Sequence, residues 1–213
     1  MTTPENFDGN NENGLLLSSY NCILDKSRLE IVIDKQEKES VRKILFETLQ
    51  LDFTLGDFSI QNLFKLKSLN GNFYIGQCLS DFGYSYGGGK YDREYRHRYY
   101  YDIIGFGILK DDLGQTLIRQ KTTADKLIEH FVHTTIKIDN CEVFNSKFYL
   151  ISDKKENMLK CFDSPFIKTI SKYEGISIKT INNKMLLAFE NHLEETQSKT
   201  VEDIFSSFKY WAE

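Results

Sequence analysis

Residues 58–80, FSIQNLFKLKSLNGNFYIGQCLS, set apolar and polar residues in near alternation on either side of Asn70-Gly71. Alternation sends successive residues to opposite faces of a strand, and Asn-Gly supplies the positive-φ positions of a tight turn. The stretch therefore predicts two antiparallel strands. Upstream, LEIVI reads as another strand. DKQEKESVRKILFETLQ reads as an amphipathic helix, with Asp34 placed to cap it, Glu37 three residues later, and Val41, Ile44, Leu45 and Leu49 recurring at helical spacing.

Downstream, DFGYSYGGGKYDREYRHRYYYDIIGFG (residues 81–107) holds seven of the chain's twelve tyrosines. Its second part, YYYDIIGFGILK, continues the sheet, Asp111-Asp112-Leu113-Gly114 turns the chain, and QTLIRQK forms a short strand. TADKLIEHFV predicts a helix capped by Thr123, with Leu127, Ile128 and Phe131 as its apolar stripe. IKID and FNSKFYLIS then read as strands. DKKENMLKCF reads as a helix in which Asp153 and Glu156 repeat the cap spacing. Pro165 fits the first turn of the helix PFIKTISKY, which Gly175 ends. ISIKTINNKMLLAFE is a hairpin tipped by Asn182-Asn183. TVEDIFSSFKYWA closes the chain as a helix carrying Ile204, Phe205, Phe208 and Trp211 on one stripe. Hairpins separated by helices describe an α+β fold: mainly antiparallel sheet with packed amphipathic helices, in two intimately packed halves.

The 213 residues, 40% of them hydrophobic, suffice for a sizeable core. Pro4 and Pro165 are the two prolines and no Ser/Gly linker interrupts the chain. The expectation is one domain over residues 15–213 behind a disordered leader over residues 1–14, acidic and Asn-rich without the basic start of a secretory signal. Lys+Arg of 27 against Asp+Glu of 31 gives a net charge of −4, so attraction to nucleic acid or to an anionic membrane is not built into the whole chain. Cys22, Cys78, Cys141 and Cys161 are dispersed among apolar neighbours with no C-x-x-C pair, which reads as reduced thiols in a cytoplasmic protein. The longest apolar runs, such as Leu15 to Leu17 and Met185 to Phe189, fall far short of the roughly 20 residues of a bilayer span, so no membrane span is expected.

Three phrases taken together resemble a family of uncharacterised bacterial domains of unknown function: NLFKLKSLNGNFYIGQCLSDFGYSY, IDNCEVFNSKFYLISDKKENMLKCFDSPFIKTI and IKTINNKMLLAFENH. In that pattern a glycine-containing hairpin (Gly71) leads into a Phe-x-Tyr-x-Tyr strand (Phe82, Tyr84, Tyr86). A Phe-Asn-x-x-Phe strand follows (Phe144, Asn145, Phe148, then Leu150), with a Ser-Asp turn (Ser152, Asp153), a helix and a last hairpin. The resemblance spans roughly residues 60–195. Many members carry apolar helices ahead of the domain; this chain lacks them, so a membrane role is not carried over. The resemblance implies a fold order, and no activity or catalytic residue.

Several patterns resemble chemistry without its context. Gly87-Gly88-Gly89-Lys90 has the glycines and lysine of a phosphate loop, but Tyr91 and a charged stretch follow where a helix must begin. Tyr rings beside arginines suit nucleic acid. Lys90 to Arg98 carries four basic residues (Lys90, Arg93, Arg96, Arg98) against Asp92 and Glu94, yet widening to Asp81 through Asp102 brings the balance to zero. The bland alternative is a long hairpin with tyrosines packed on one face and charges on the other. His130 and His133 share a helix face with Glu129 beside them, but no third ligand and no H-E-x-x-H pattern accompany them. No G-x-S-x-G elbow is present, Cys141 and Cys161 sit in packing contexts, and Asp111-Asp112 and Glu194-Glu195 read as solvated polar stretches.

The sequence thus implies no catalytic residue, metal or cofactor. It points to a non-enzymatic module of the bacterial cytosol that binds another protein or a second copy of itself. Its candidate binding residues are Tyr84, Tyr86, Tyr91, Arg93, Tyr95, Arg96 and Arg98, with the C-terminal aromatic stripe as a further surface if it is left uncovered. The alternatives are an enzyme without a readable motif, and nucleic-acid or anionic-ligand binding through the hairpin of residues 84–101.

Overall fold

The structure, a computed structural model, describes residues 29–49, 58–66, 73–86, 94–122, 125, 135–189 and 196–211, with 29, 31, 46–49, 58–59, 61, 66, 77–86, 94–102 and 198 described as backbone. The Asn70-Gly71 turn, residues 1–14, and the expected helix TADKLIEHFV apart from Asp125 lie outside the described residues.

Asp34 starts the first helix as expected: its Oδ1 accepts the Gln36 N–H at 2.8 Å, and α1 follows over Lys35–Leu49. Glu37 takes a different partner from the helix start. Its Oε1 accepts the Tyr74 hydroxyl at 2.7 Å and Lys65 Nζ at 3.3 Å, joining α1 to the sheet.

Among the described residues eight strands build one sheet: β1 (Leu29–Ile31), β2 (Phe58–Leu66), β3 (Phe73–Tyr86), β4 (Glu94–Ile108), β5 (Thr116–Gln120), β6 (Phe148–Ser152), β7 (Ile176–Ile181) and β8 (Lys184–Phe189). Their spatial order is β1-β2-β3-β4-β8-β7-β5-β6, with every pair antiparallel. The α+β class therefore holds. The two halves are parts of a single sheet, joined where Gly105 to Ile108 of β4 pair with Leu187 to Lys184 of β8. The Asn182-Asn183 hairpin forms as expected, with Asn182 at φ 56°, and its tip is bonded to the Asp111–Gly114 turn through Leu113 N–H to Asn182 O at 2.9 Å.

Both faces of the central strands are covered, which is why Ile103, Ile104 and Phe106 run apolar instead of alternating. On one face Val41 and Leu45 of α1 bury Leu63, Tyr74, Ile104, Phe106 and Leu186. On the other, Phe73, Ile75, Ile103, Met185 and Leu187 meet the helices α2 (Glu142–Lys147), α3 (Lys155–Cys161), α4 (Ser164–Ile170) and α5 (Gln197–Ser207).

Four local expectations are corrected. FNSK is the end of helix α2, and the strand begins only at Phe148. Phe144 and Phe148 are four residues apart and stack at 5.2 Å, while the Asn145 side chain bonds both the N–H and the C=O of Ile138, so IKID forms no strand. Asp153 does not cap α3; its Oδ1 accepts the Gln115 N–H at 2.7 Å and ties the helix start to the neighbouring turn. The last helix ends at Ser207, and Phe208 is extended, so Trp211 reaches the sheet as a bridge to Leu109 and not from a helical stripe. Pro165 does open α4, where Asp163 accepts the Phe166 N–H.

Trp211 packs edge-on against Phe73 (3.9 Å between centroids), Phe205 and Phe208, and its Nε1–H donates to Phe205 O at 3.1 Å. Gly105 and Gly107 permit that approach. A Cβ on Gly105 would lie 2.5 Å from Val201 Cγ1 and 2.7 Å from Phe205 Cζ. One on Gly107 would strike Trp211 and sit 3.1 Å from Phe73. The aromatic C-terminal stripe is thus core, with Phe205, Phe208 and Trp211 all buried, and the alternative that it forms an interface is set aside.

Candidate interaction site on the long hairpin

The two longest strands, β3 and β4, pair with each other rung for rung from Phe73↔Gly107 to Tyr86↔Glu94. Their outer neighbours are shorter. The β2 ladder ends at Phe58↔Ser80, and the β8 ladder ends at Leu187↔Gly105. Beyond those points, among the described residues, residues 81–86 and 94–99 have only each other. They form a two-stranded arm of roughly 20 Å at about 3.4 Å per residue.

The arm carries most of the residues singled out from the sequence. Tyr84 faces Arg96, Ser85 faces Tyr95, Tyr86 faces Glu94 and Phe82 faces Arg98. The fold thus brings Tyr84, Tyr86, Tyr95, Arg96 and Arg98 into one ladder; Tyr91 and Arg93 lie outside the described residues with the glycine run.

What the sequence reading missed is the edge of β4. Leu109 N–H donates across to Asn183 O at 2.6 Å, and by the two-residue period of a strand the odd-numbered residues of β4 turn their N–H and C=O to that side. Gly105 and Gly107 use those groups on β8. Tyr95, His97, Tyr99, Tyr101 and Ile103 present theirs along an edge that no described strand occupies. Nothing in the local sequence marks this edge, because it is set by where β8 stops pairing.

The groups with displaced acidity serve packing and pairing. Cys161 is buried with its Sγ 3.8 Å from Asp111 Oδ2; burial, and then the adjacent carboxylate, push its thiol up to about 11, the opposite of an activated nucleophile. Alkylation of the folded protein at pH 8, read peptide by peptide, is therefore expected to modify half-exposed Cys141 well before Cys161; equal rates would contradict this placement. Asp112 is held below the usual carboxylate range by Lys154, 2.5 Å away, and by the Gly114 N–H, so the Asp111-Asp112 pair is a turn fastener. Arg119 grips Asp125 in a bidentate pair at 2.6 and 2.7 Å and holds its carboxyl far below the usual range. Burial and the bond to Glu37 raise the Tyr74 phenol, while burial and the bond to Asp203 push Tyr173 up to about 12.

Concave surface among the described residues lies elsewhere. A groove of about 580 Å³ between α2 and α4 has Phe144 and Ile167 at its floor, Val143 (59% exposed) on its wall and Lys168 at its rim. A smaller one of about 220 Å³ is lined by Tyr173, Phe189 and Gln197. Tyr173 lines the smaller one with its hydroxyl committed to Asp203; the other displaced groups lie outside both. Among the described residues no cluster of three or more His, Cys, Asp or Glu is placed to hold a metal, and no helix is long and apolar enough to cross a membrane. His130, His133, Glu194 and Glu195 lie outside the described residues.

No family model, no curated protein and no solved structure matches the chain.

Proposed function

We propose that this protein is a non-enzymatic interaction module that binds another protein, or a second copy of itself, by strand addition along the open edge of β4. The observation that carries the reading is the mismatch in strand lengths: β4 continues past residue 105 toward Glu94 with no described strand on its outer side. An exposed row of N–H and C=O groups is a template for another strand, and the backbone bonds it offers supply affinity whatever the partner's sequence. A two-stranded ribbon is marginal in water, so the arm itself gains from a third strand. Tyrosine and arginine, the residues concentrated there, are enriched at protein interfaces. Action in a bacterial cytosol belongs to the same proposal; unpaired Cys141 and Cys161, together with the family resemblance, support it.

Tyr99→Pro tests the reading. Proline removes an N–H that faces the open edge and leaves every β3–β4 bond in place. Immobilised Tyr99→Pro is expected to retain partners from a lysate of the native host about tenfold less than the wild-type chain, a loss of the size expected when main-chain pairing is blocked. An unchanged set of retained proteins would overturn the proposal.

A further inference from the structure

The charges along the open edge narrow the partner to one class. We propose that β4 pairs antiparallel with β4 of a second copy about a two-fold axis at Tyr99, making one sheet continuous through two molecules. This rests on the strand-addition reading and names its partner.

Residues 94–104 carry Glu94, Arg96, Arg98 and Asp102, all at even positions. In a two-fold pairing of identical strands, each residue meets one equally far from the axis on the other side. Tyr99 is the midpoint of residues 94–104. A register centred there sets Arg96 opposite Asp102 of the second copy and Arg98 opposite Tyr100. It also joins the outward-facing backbone of Tyr95 to that of Ile103, of His97 to that of Tyr101, and of Tyr99 to its own twin. No like charges meet. Centring on Arg98 sets that residue against itself, and centring on His97 sets Arg96 against Arg98; like charges directly opposite destabilise a strand pair. Centring on Tyr100 keeps an Arg98–Asp102 match but points residues 94 and 95 at Phe106 and Gly105, whose edge β8 already occupies.

The same arrangement uses the balance of two acidic and two basic residues over 94–104, which suits a self-complementary surface better than a polyanion site. Between its two arginines and Asp102 the edge has neither the lysines nor the proline that commonly protect an exposed strand from pairing.

The test combines sedimentation of the full chain over a concentration series with disulfide trapping. Facing residues in an antiparallel pair have Cα atoms about 5.5 Å apart or less, within disulfide reach. Tyr99→Cys is therefore expected to give a cross-link between its two copies, identified as the joined peptide. Tyr100→Cys is not, because its twin lies about 7 Å further along the strand. Arg96→Asp should weaken the dimer about tenfold, by turning two opposite pairs into like pairs, and Arg96→Asp with Asp102→Arg should restore it. A chain that stays monomeric at its solubility limit overturns the inference, as does a dimer trapped equally by both cysteines or indifferent to Arg96→Asp. A monomer whose host partners are still lost with Tyr99→Pro removes the second copy and leaves strand addition standing. A monomer whose host partners ignore Tyr99→Pro removes both.

Discussion

Trp211→Ala is expected to destabilise the protein by about 3–5 kcal/mol, the range for truncating a large buried aromatic. Trp211 is 7% exposed and touches three aromatic rings belonging to β3, to α5 and to the segment after it. The loss is mostly cavity. The Phe205 carbonyl that accepts the indole N–H also accepts the Phe208 N–H at 3.2 Å, so it is not left bare. The indole also anchors the end of the described chain, where Lys110 N–H donates to Tyr210 O and Leu109 bridges Trp211. Urea unfolding reads the effect as a lower midpoint, and a change under about 1 kcal/mol would mean that the ring is not wedged between sheet and helix.

Gly107→Ala should cost about 1–3 kcal/mol for the converse reason, overpacking. The added methyl meets the indole and Phe73 Cδ1 on a strand paired on both sides, so neither the backbone nor the rings can easily move away. The two substitutions act on one contact, which makes their combination informative. In Gly107→Ala/Trp211→Ala the methyl enters space the indole has left, and the double variant should be more stable than the two losses added together by about 1 kcal/mol or more. Strict additivity would show that Gly107 is not reserved for the indole.

The parts of the fold that were legible in the sequence are those set by neighbours in the chain. Asp34 caps its helix through its own following amide, Pro165 opens another, and Lys184 to Phe189 fold back on Ile176 to Ile181 through Asn182-Asn183. The parts that were not legible depend on distant residues. Glu37 has the spacing of a helix-start residue but is taken by Tyr74 and Lys65 from the sheet. Asp153 likewise has cap spacing but is taken by Gln115. Phe144 to Lys147 precede a real strand closely enough to be read as part of it, and only the Asn145 clamp on Ile138 shows otherwise.

The candidate site divides in the same way. The density of tyrosine and arginine over residues 84–98 was visible, and the pairing of Tyr84 with Arg96 follows from the hairpin. The β4 edge that no described strand occupies was not, because it is set by β8, some eighty residues further along the chain, pairing with β4 as far as Gly105. That edge shifts attention from Tyr84 and Tyr86 on β3 to Tyr99 and its odd-numbered neighbours on β4.

Residue-resolved amide exchange of dilute protein tests the open edge most directly. The N–H groups of Tyr95, His97, Tyr99, Tyr101 and Ile103 should exchange fast while those of Arg96, Arg98, Tyr100, Asp102 and Ile104, donated to β3, are protected. The odd set should become protected as the concentration rises and copies pair. Protection of the odd-numbered amides at the lowest concentration, equal to that of their neighbours, would mean that the edge is already occupied and would contradict the account.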